Sequence, residues 1–312
     1  MANSEGDKRA RVPGTSRISA KHREWLAGYL FVLPDAAGLM LFIGLPAAMA
    51  LFVSVYSFDA FGSFTYVGAA HYRRMLLDPL FWKSLRVTAV FAAVLVPLLY
   101  VAGLGLALLV QRTNRYNAIM RSMLFAPQMV SLVVIGLVWQ LLVVDKIGSV
   151  PQMLAAAGLE PVSFLGDPRF ALLTVVLVCM WFLMGFYMLV FLGGLHDIPK
   201  EYYEAAQLDG AGPVARFWYI TLPLLRPTSF FVLLVATVSA VAGAHAFDLV
   251  YVMTRGGPAN STLLLISYIY QQAFQFGDFG YASAMSAVLV AMLGALSALF
   301  FLVTRGGRFQ YA

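Results

Sequence analysis

Side chains that ligate metals, transfer protons or attack carbonyls at neutral pH are scarce here: 312 residues hold 4 histidines, 1 cysteine and 15 carboxylates. His22, His71, His196 and His245 lie far apart and lack the ligand spacing of a zinc site, so no metal is expected. Cys179 has no second cysteine to pair with, and its place inside an apolar run reads as a small buried packing residue. The sequence contains no Gly-x4-Gly-Lys-Ser/Thr phosphate loop, no Gly-Lys pair and no Gly-x-Ser-x-Gly nucleophile turn. The chain is therefore expected to be neither an enzyme nor the holder of a cofactor.

A second group of residues suits recognition. Gln128, Trp139, Gln140, Trp181, Tyr187, His245 and Asp248 place amides, aromatic faces and ionisable groups inside apolar segments. Aromatic faces combined with hydrogen-bonding side chains suit the recognition of a polar solute. His245 and Asp248 are three residues apart and share a helix face. Each of the seven taken singly is better explained by packing or interfacial anchoring. Together they are the expected lining of a solute path.

The elements that must carry them are membrane helices. Hydrophobic residues make up 61% of the chain and charged residues 12%, against roughly 25% charged in an ordinary domain. Six runs approach the length of about 20 apolar residues that spans a bilayer: Ala36–Phe58, Ser84–Val110, Met120–Val143, Ala171–Leu192, Thr228–Val252 and Ala282–Thr304. Backbone facing lipid must satisfy its own hydrogen bonds, so the fold class is all-α. Asp35, after Pro34, is expected to cap the first of these helices. Ser283, Ala287, Ala291 and Ala295 give the last one a flat face for another helix, within the subunit or between subunits. The basic residues behind the net charge of +6 flank the spans and point to membrane orientation, not to nucleic acid. Residues 1–27 read as an uncleaved basic tail and 305–312 as a short C-terminal segment around a transmembrane domain at 28–304. With both termini cytoplasmic, Lys and Arg divide 14 inside to 7 outside, of 21 in all.

The most informative stretch is polar and lies between the fourth and fifth spans, Ile198–Pro227. Pro199 suits a first helical turn, and Glu201 and Glu204 favour that end of the helix dipole. Gly210 is placed to end the helix in the left-handed conformation. Pro213 can start a second helix through Phe217 and Trp218, and Pro223 and Pro227 are expected to break the chain before the fifth span. Tyr202, Tyr203, Phe217 and Trp218 amid acidic residues mark an element that lies against a partner or the membrane surface.

This stretch resembles the EAA motif of ABC-importer permeases, E-A-A-x3-G-x9-I-x-L-P, with Glu204, Ala205, Ala206, Gly210, Ile220, Leu222 and Pro223 all in register and Asp209 in its longer form. Tyr66–Trp82, Phe164–Pro168 and Phe247–Thr262 are also similar to segments of the maltose- and glycerol-phosphate-type first permeases. The resemblance implies half of a membrane path for a sugar or sugar-like solute in a bacterial inner membrane. It implies a second homologous permease, two cytoplasmic ATPases carrying ATP and Mg, and an extracytoplasmic solute-binding protein. Glu204 would make polar contact with an ATPase, Ala205 and Ala206 would allow close packing, and Gly210 the turn. Gly256, Gly257 and Pro258 would lie where the binding protein docks. His245-Ala246-Phe247-Asp248 departs from the family's Gln-x-Phe-Asp. The other class of transporter, an ion-coupled secondary carrier, requires intramembrane charges that these spans largely lack.

Overall fold

The computed structural model describes residues 17–58, 64–145, 147–160 and 162–303. Lys146, most of the basic tail and the segment 305–312 lie outside the described residues. The chain forms two units, residues 1–52 and 53–312.

The first unit is helical from α1 (Arg17–Leu39) through a π-helical turn at Met40–Gly44 into α2 (Leu45–Val53). Residues 17–27, expected as tail, are thus the start of a helix. Asp35 does not cap that helix; it lies inside α1, together with Pro34. The expectation failed because proline was read only as a helix start, whereas a long apolar helix tolerates one missing N–H. Phe31, Met40 and Phe42 are all exposed, as suits a helix that is apolar on every side. The membrane-length part runs from Gly28 to Val53, so the first span ends before Phe58.

The second unit opens with a departure from the all-α expectation. Tyr56–Phe58 (β1) and Phe64–Tyr66 (β2) pair antiparallel, with Tyr56 opposite Tyr66. Aromatic residues and threonine suit a short ribbon, and the Tyr56 ring lies 4.4 Å from that of Phe64. Next come α3 (Ala70–Leu77), α4 (Pro79–Val110), α5 (Arg115–Phe125), α6 (Leu132–Val143), α7 (Ser149–Ala156) and α8 (Pro168–His196). They are followed by α9 (Lys200–Leu208), α10 (Pro213–Arg216), α11 (Leu222–Leu224), α12 (Arg226–Ala242), α13 (Ala244–Met253), α14 (Leu265–Tyr270) and α15 (Phe279–Val303). Among the described residues five helical segments are long and apolar enough to cross a membrane, and six if one bent pair counts as a span.

That bent pair is the expected third span. It is not one helix: α5 and α6 meet at 95° across a 3-10 turn at Ala126–Met129. Pro127 lacks an N–H to continue the ladder, and Val130 is extended. The fifth span is also interrupted. Gly243 is extended between α12 and α13, and a Cβ there would strike the Ser239 carbonyl oxygen.

The core is built on α8 packed along α4, with α12 against both. Phe91, Leu95 and Leu99 meet Val175, Cys179, Met188 and Phe191, while Val232, Ala236 and Ala240 form a buried stripe on α12. A Cβ on Gly103 would sit 2.9 Å from the Tyr187 Cβ, so the two long helices approach closely there. On α15 the buried side is Tyr281, Ala282, Met285 and Leu289. Its flat face stays uncovered, with Ser283 and Ala287 half-buried and Ala291 and Ala295 exposed.

Candidate functional site

The polar segment after α8 folds as a protruding hairpin of short helices. Pro199 is extended and precedes α9, whose first turn carries Glu201. At the other end Gly210 takes φ +79°, and the Ala211 and Gly210 N–H groups donate to the carbonyls of Ala206 (2.8 Å) and Gln207 (3.1 Å). These paired bonds close the helix in a Schellman motif and reverse the chain. Pro213 then starts α10.

From Pro213 the backbone stays helical through a π turn at Phe217–Thr221 and through α11, with a single turn at Leu225 before α12. Pro223 and Pro227 therefore do not break the chain as expected. Pro227 falls in the first turn of α12, where its missing N–H costs nothing, and Pro223 follows the π turn inside the continuous helical stretch.

The hairpin is held to the membrane part on one side only. The Tyr203 and Thr221 hydroxyls share a 3.0 Å hydrogen bond, and Tyr203, Phe217, Leu222 and Leu224 pack on the main core. Glu204, Ala205, Asp209 and Gly210 are exposed, while Ala206, Ile220, Leu222 and Pro223 are half-buried. Tyr202, Leu208, Trp218 and Tyr219 are exposed as well, Leu208 to 90%. The hairpin thus carries an exposed carboxylate and four large exposed apolar or aromatic side chains that the described residues leave uncovered. Beneath it, a cleft of about 340 Å³ is bordered by Asp197, Pro199, Tyr202 and Thr228.

Within the spans, the two breaks converge on the middle of α8. The Gln128 amide in the 3-10 elbow donates to the Phe182 carbonyl oxygen at 3.0 Å. Trp139 and Trp181 meet edge to face at 5.7 Å, and the His245 ring lies 5.8 Å from that of Phe182. Gly185 makes room for the elbow. A Cβ there would fall on the Leu124 carbonyl oxygen and 2.9 Å from the Phe125 Cα.

Four of the seven expected path residues, Gln128, Trp139, Trp181 and His245, are thus brought together. The others lie apart. Tyr187 is buried in the core. Gln140 borders a separate concavity of about 400 Å³ with Tyr251 and Arg255, and Asp248 is half-buried on α13.

Gly256, Gly257 and Pro258 lie in a loop locked by its own hydrogen bonds. Thr262 Oγ1 donates to the Gly257 carbonyl at 2.8 Å and shares a 2.7 Å bond with Thr254 Oγ1, while Lys83 Nζ donates to the Ala259 carbonyl at 2.6 Å. Arg255, Ala259 and Asn260 all take positive φ, so the loop holds a conformation that its side chains disfavour.

Near this loop lies a network that the sequence reading missed. Asp78 Oδ2 accepts from Tyr268 (2.6 Å) and Tyr281 (2.7 Å), and Oδ1 from the Leu80 N–H (2.8 Å). Arg74 donates to Asp278 at 2.6 Å with its guanidinium 4.1 Å from the centre of the Tyr281 ring. Burial of Asp78 pushes its pKa up, but the tyrosine hydroxyls and the backbone N–H groups of Leu80 and Phe81 outweigh this, and the net shift is downward. Asp-Pro at a helix start was the available signal, since Asp78 is the N-cap of α4.

Broken membrane helices around a polar elbow, a stapled loop and an exposed polar hairpin make up a mostly helical, membrane-embedded fold. The chain belongs to the family described as the binding-protein-dependent transport system inner membrane component, matched over residues 99–306. It is 35% identical over 297 residues to the lactose transport system permease protein LacF of Rhizobium radiobacter, covering 93% of this chain and 98% of that one. With the trehalose/maltose transport system permease protein MalF of Thermococcus litoralis it shares 32% over 299 residues, covering 95% and 98%. The fold matches a subunit in the crystal structure of a bacterial alginate ABC transporter in complex with alginate pentasaccharide-bound periplasmic protein. The TM-score is 0.80 at 20% identity, covering 92% of this chain and 96% of that one.

Proposed function

We propose that this permease forms half of the membrane path for a carbohydrate or carbohydrate-like solute, with a second homologous permease as the other half. The hairpin around Glu204 and Gly210 docks into one of two cytoplasmic ATPases, which supply ATP, Mg and hydrolysis. Both termini are then cytoplasmic, and the stapled loop at Gly256–Pro258 faces an extracytoplasmic solute-binding protein. The observation that carries this reading is the exposed carboxylate of Glu204, set among Tyr202, Leu208 and Trp218 on an element anchored from behind by Tyr203. A desolvated cleft in a partner would cover those apolar side chains and give the carboxylate a charged contact. The carbohydrate class rests on the relatives and on the aromatic and amide groups near Phe182.

Affinity purification of the chain from its native membrane should bring down an ABC ATPase, and Glu204→Ala should release it while the permease still inserts. Retention of the ATPase by Glu204→Ala, with uptake still coupled to ATP, would remove the docking assignment.

A further inference from the structure

Beside the stapled loop, between the end of α13 and the start of α14, lies a concavity of about 280 Å³. Tyr251, Arg255, Ser267, Tyr270, Gln271 and Gln275 contribute to its wall. Three features set it apart from an ordinary surface dimple. Ser267 is only 5% exposed, yet its hydroxyl has no hydrogen-bond partner. A buried hydroxyl is normally satisfied, and none of the described residues satisfies this one.

Tyr251 and Tyr270 stand edge to face at 5.5 Å and so form an aromatic wall. Arg255, held at φ +52°, makes no ion pair among the described residues and also borders the neighbouring concavity with Gln140. Two amides, a guanidinium, a hydroxyl and phenol rings on one small wall match a ring rich in hydroxyl groups. The volume lies just below the range of about 300–1,000 Å³ typical of pockets for larger ligands, which favours a single sugar ring.

We propose that this concavity is an outer subsite for one pyranose ring of the transported solute, occupied between delivery and entry into the path near Phe182. The inference rests on the carbohydrate-importer reading above. Ser267 and the two glutamines bond ring hydroxyls, and Tyr251 and Tyr270 cover the apolar face of the sugar. Aromatic side chains at a membrane boundary also anchor helices in the headgroup region, but anchoring gives no role to a buried, unpartnered hydroxyl.

The test uses the complete importer with its own binding protein, reconstituted in proteoliposomes, with radiolabelled lactose, maltose and trehalose as probes. For the probe that is transported, Ser267→Ala and Gln275→Ala should each raise the KM of uptake about 3- to 10-fold, the loss of one hydrogen bond. ATP hydrolysis stimulated by the empty binding protein should stay unchanged. A purely structural Ser267 predicts the opposite pattern for Ser267→Ala: unchanged KM and a raised Tm, because an unsatisfied buried group has been removed. Gln275 is exposed, so its variant folds whatever happens at Ser267. Parental KM in both variants overturns the subsite and leaves the carbohydrate reading standing. No uptake of any probe by the unaltered importer overturns the carbohydrate reading and the subsite with it.

Discussion

Replacing Gly210 by alanine should loosen the end of α9 without removing any contact that the residue makes. Gly210 holds φ +79°, and a Cβ built on it meets nothing within 4 Å. The whole cost is therefore backbone strain, about 1–2 kcal/mol for an L-residue in the left-handed region. Alanine also restricts the open state, which offsets about 0.4–1 kcal/mol. A net of about 1 kcal/mol raises the opening equilibrium of the Schellman turn roughly fivefold.

Asparagine tolerates the left-handed region and should recover much of that loss. Proline, with φ fixed near −65° and no N–H for the Gln207 carbonyl, should abolish the turn. Amide hydrogen exchange across residues 200–216 reads the opening directly. ATP hydrolysis stimulated by the solute-loaded binding protein, measured on the complete importer in nanodiscs, reads its consequence. Graded loss in the order asparagine, alanine, proline in both measurements is expected. Parental exchange in Gly210→Ala, or asparagine as damaging as alanine, would refute the reasoning.

Other perturbations give equally definite outcomes. Gly185→Ala forces a methyl group onto the backbone of Leu124 and Phe125, which has no flexible end to yield; a loss of about 1–3 kcal/mol and a lower Tm in detergent are expected. Tyr203→Phe removes the 3.0 Å bond to Thr221 and should cost about 0.5–1.5 kcal/mol locally, seen as faster exchange in α9 with Trp218 exposure unchanged. The lowered pKa of Asp78 means that its stabilisation is fully present above the ordinary carboxylate value of about 3.9 and is lost as pH falls through the lower folded value. Between about pH 5 and pH 2.5, Tm should therefore fall more steeply in the parent than in Asp78→Asn; parallel curves would exclude the network as an acid-sensitive element.

Local rules alone misplaced the proline effects. Pro223 and Pro227 were expected to break the chain, yet the helix runs on through Pro223, and Pro227 lies in the first turn of α12. The break that was not expected follows Pro127, at Val130 and Ser131 in the third span. A proline lacks one N–H wherever it stands. Whether the chain bends there depends on what the surrounding structure accommodates, as the Gly185 gap does for Leu124 and Phe125 at the elbow.

Tyr268 and Tyr281 lie 190 and 203 residues after Asp78 and meet it only because α14 and α15 return to the start of α4. No local pattern could have joined them. In the same way, Tyr187 and Trp181 sit on one helix in similar apolar surroundings, yet one is sealed in the core and the other faces Trp139.

The sequence by itself determined the membrane class and the polar hairpin that Gly210 closes. Lipid selects on composition summed over about 20 residues, and a short helix closed by glycine depends only on its neighbours in the chain. The tertiary structure alone decided where the spans break, which polar side chains meet at the break, and that Ser267 is buried with nothing to bond. Those facts depend on which surfaces come into contact, and contact between distant segments is set by close packing of the whole bundle.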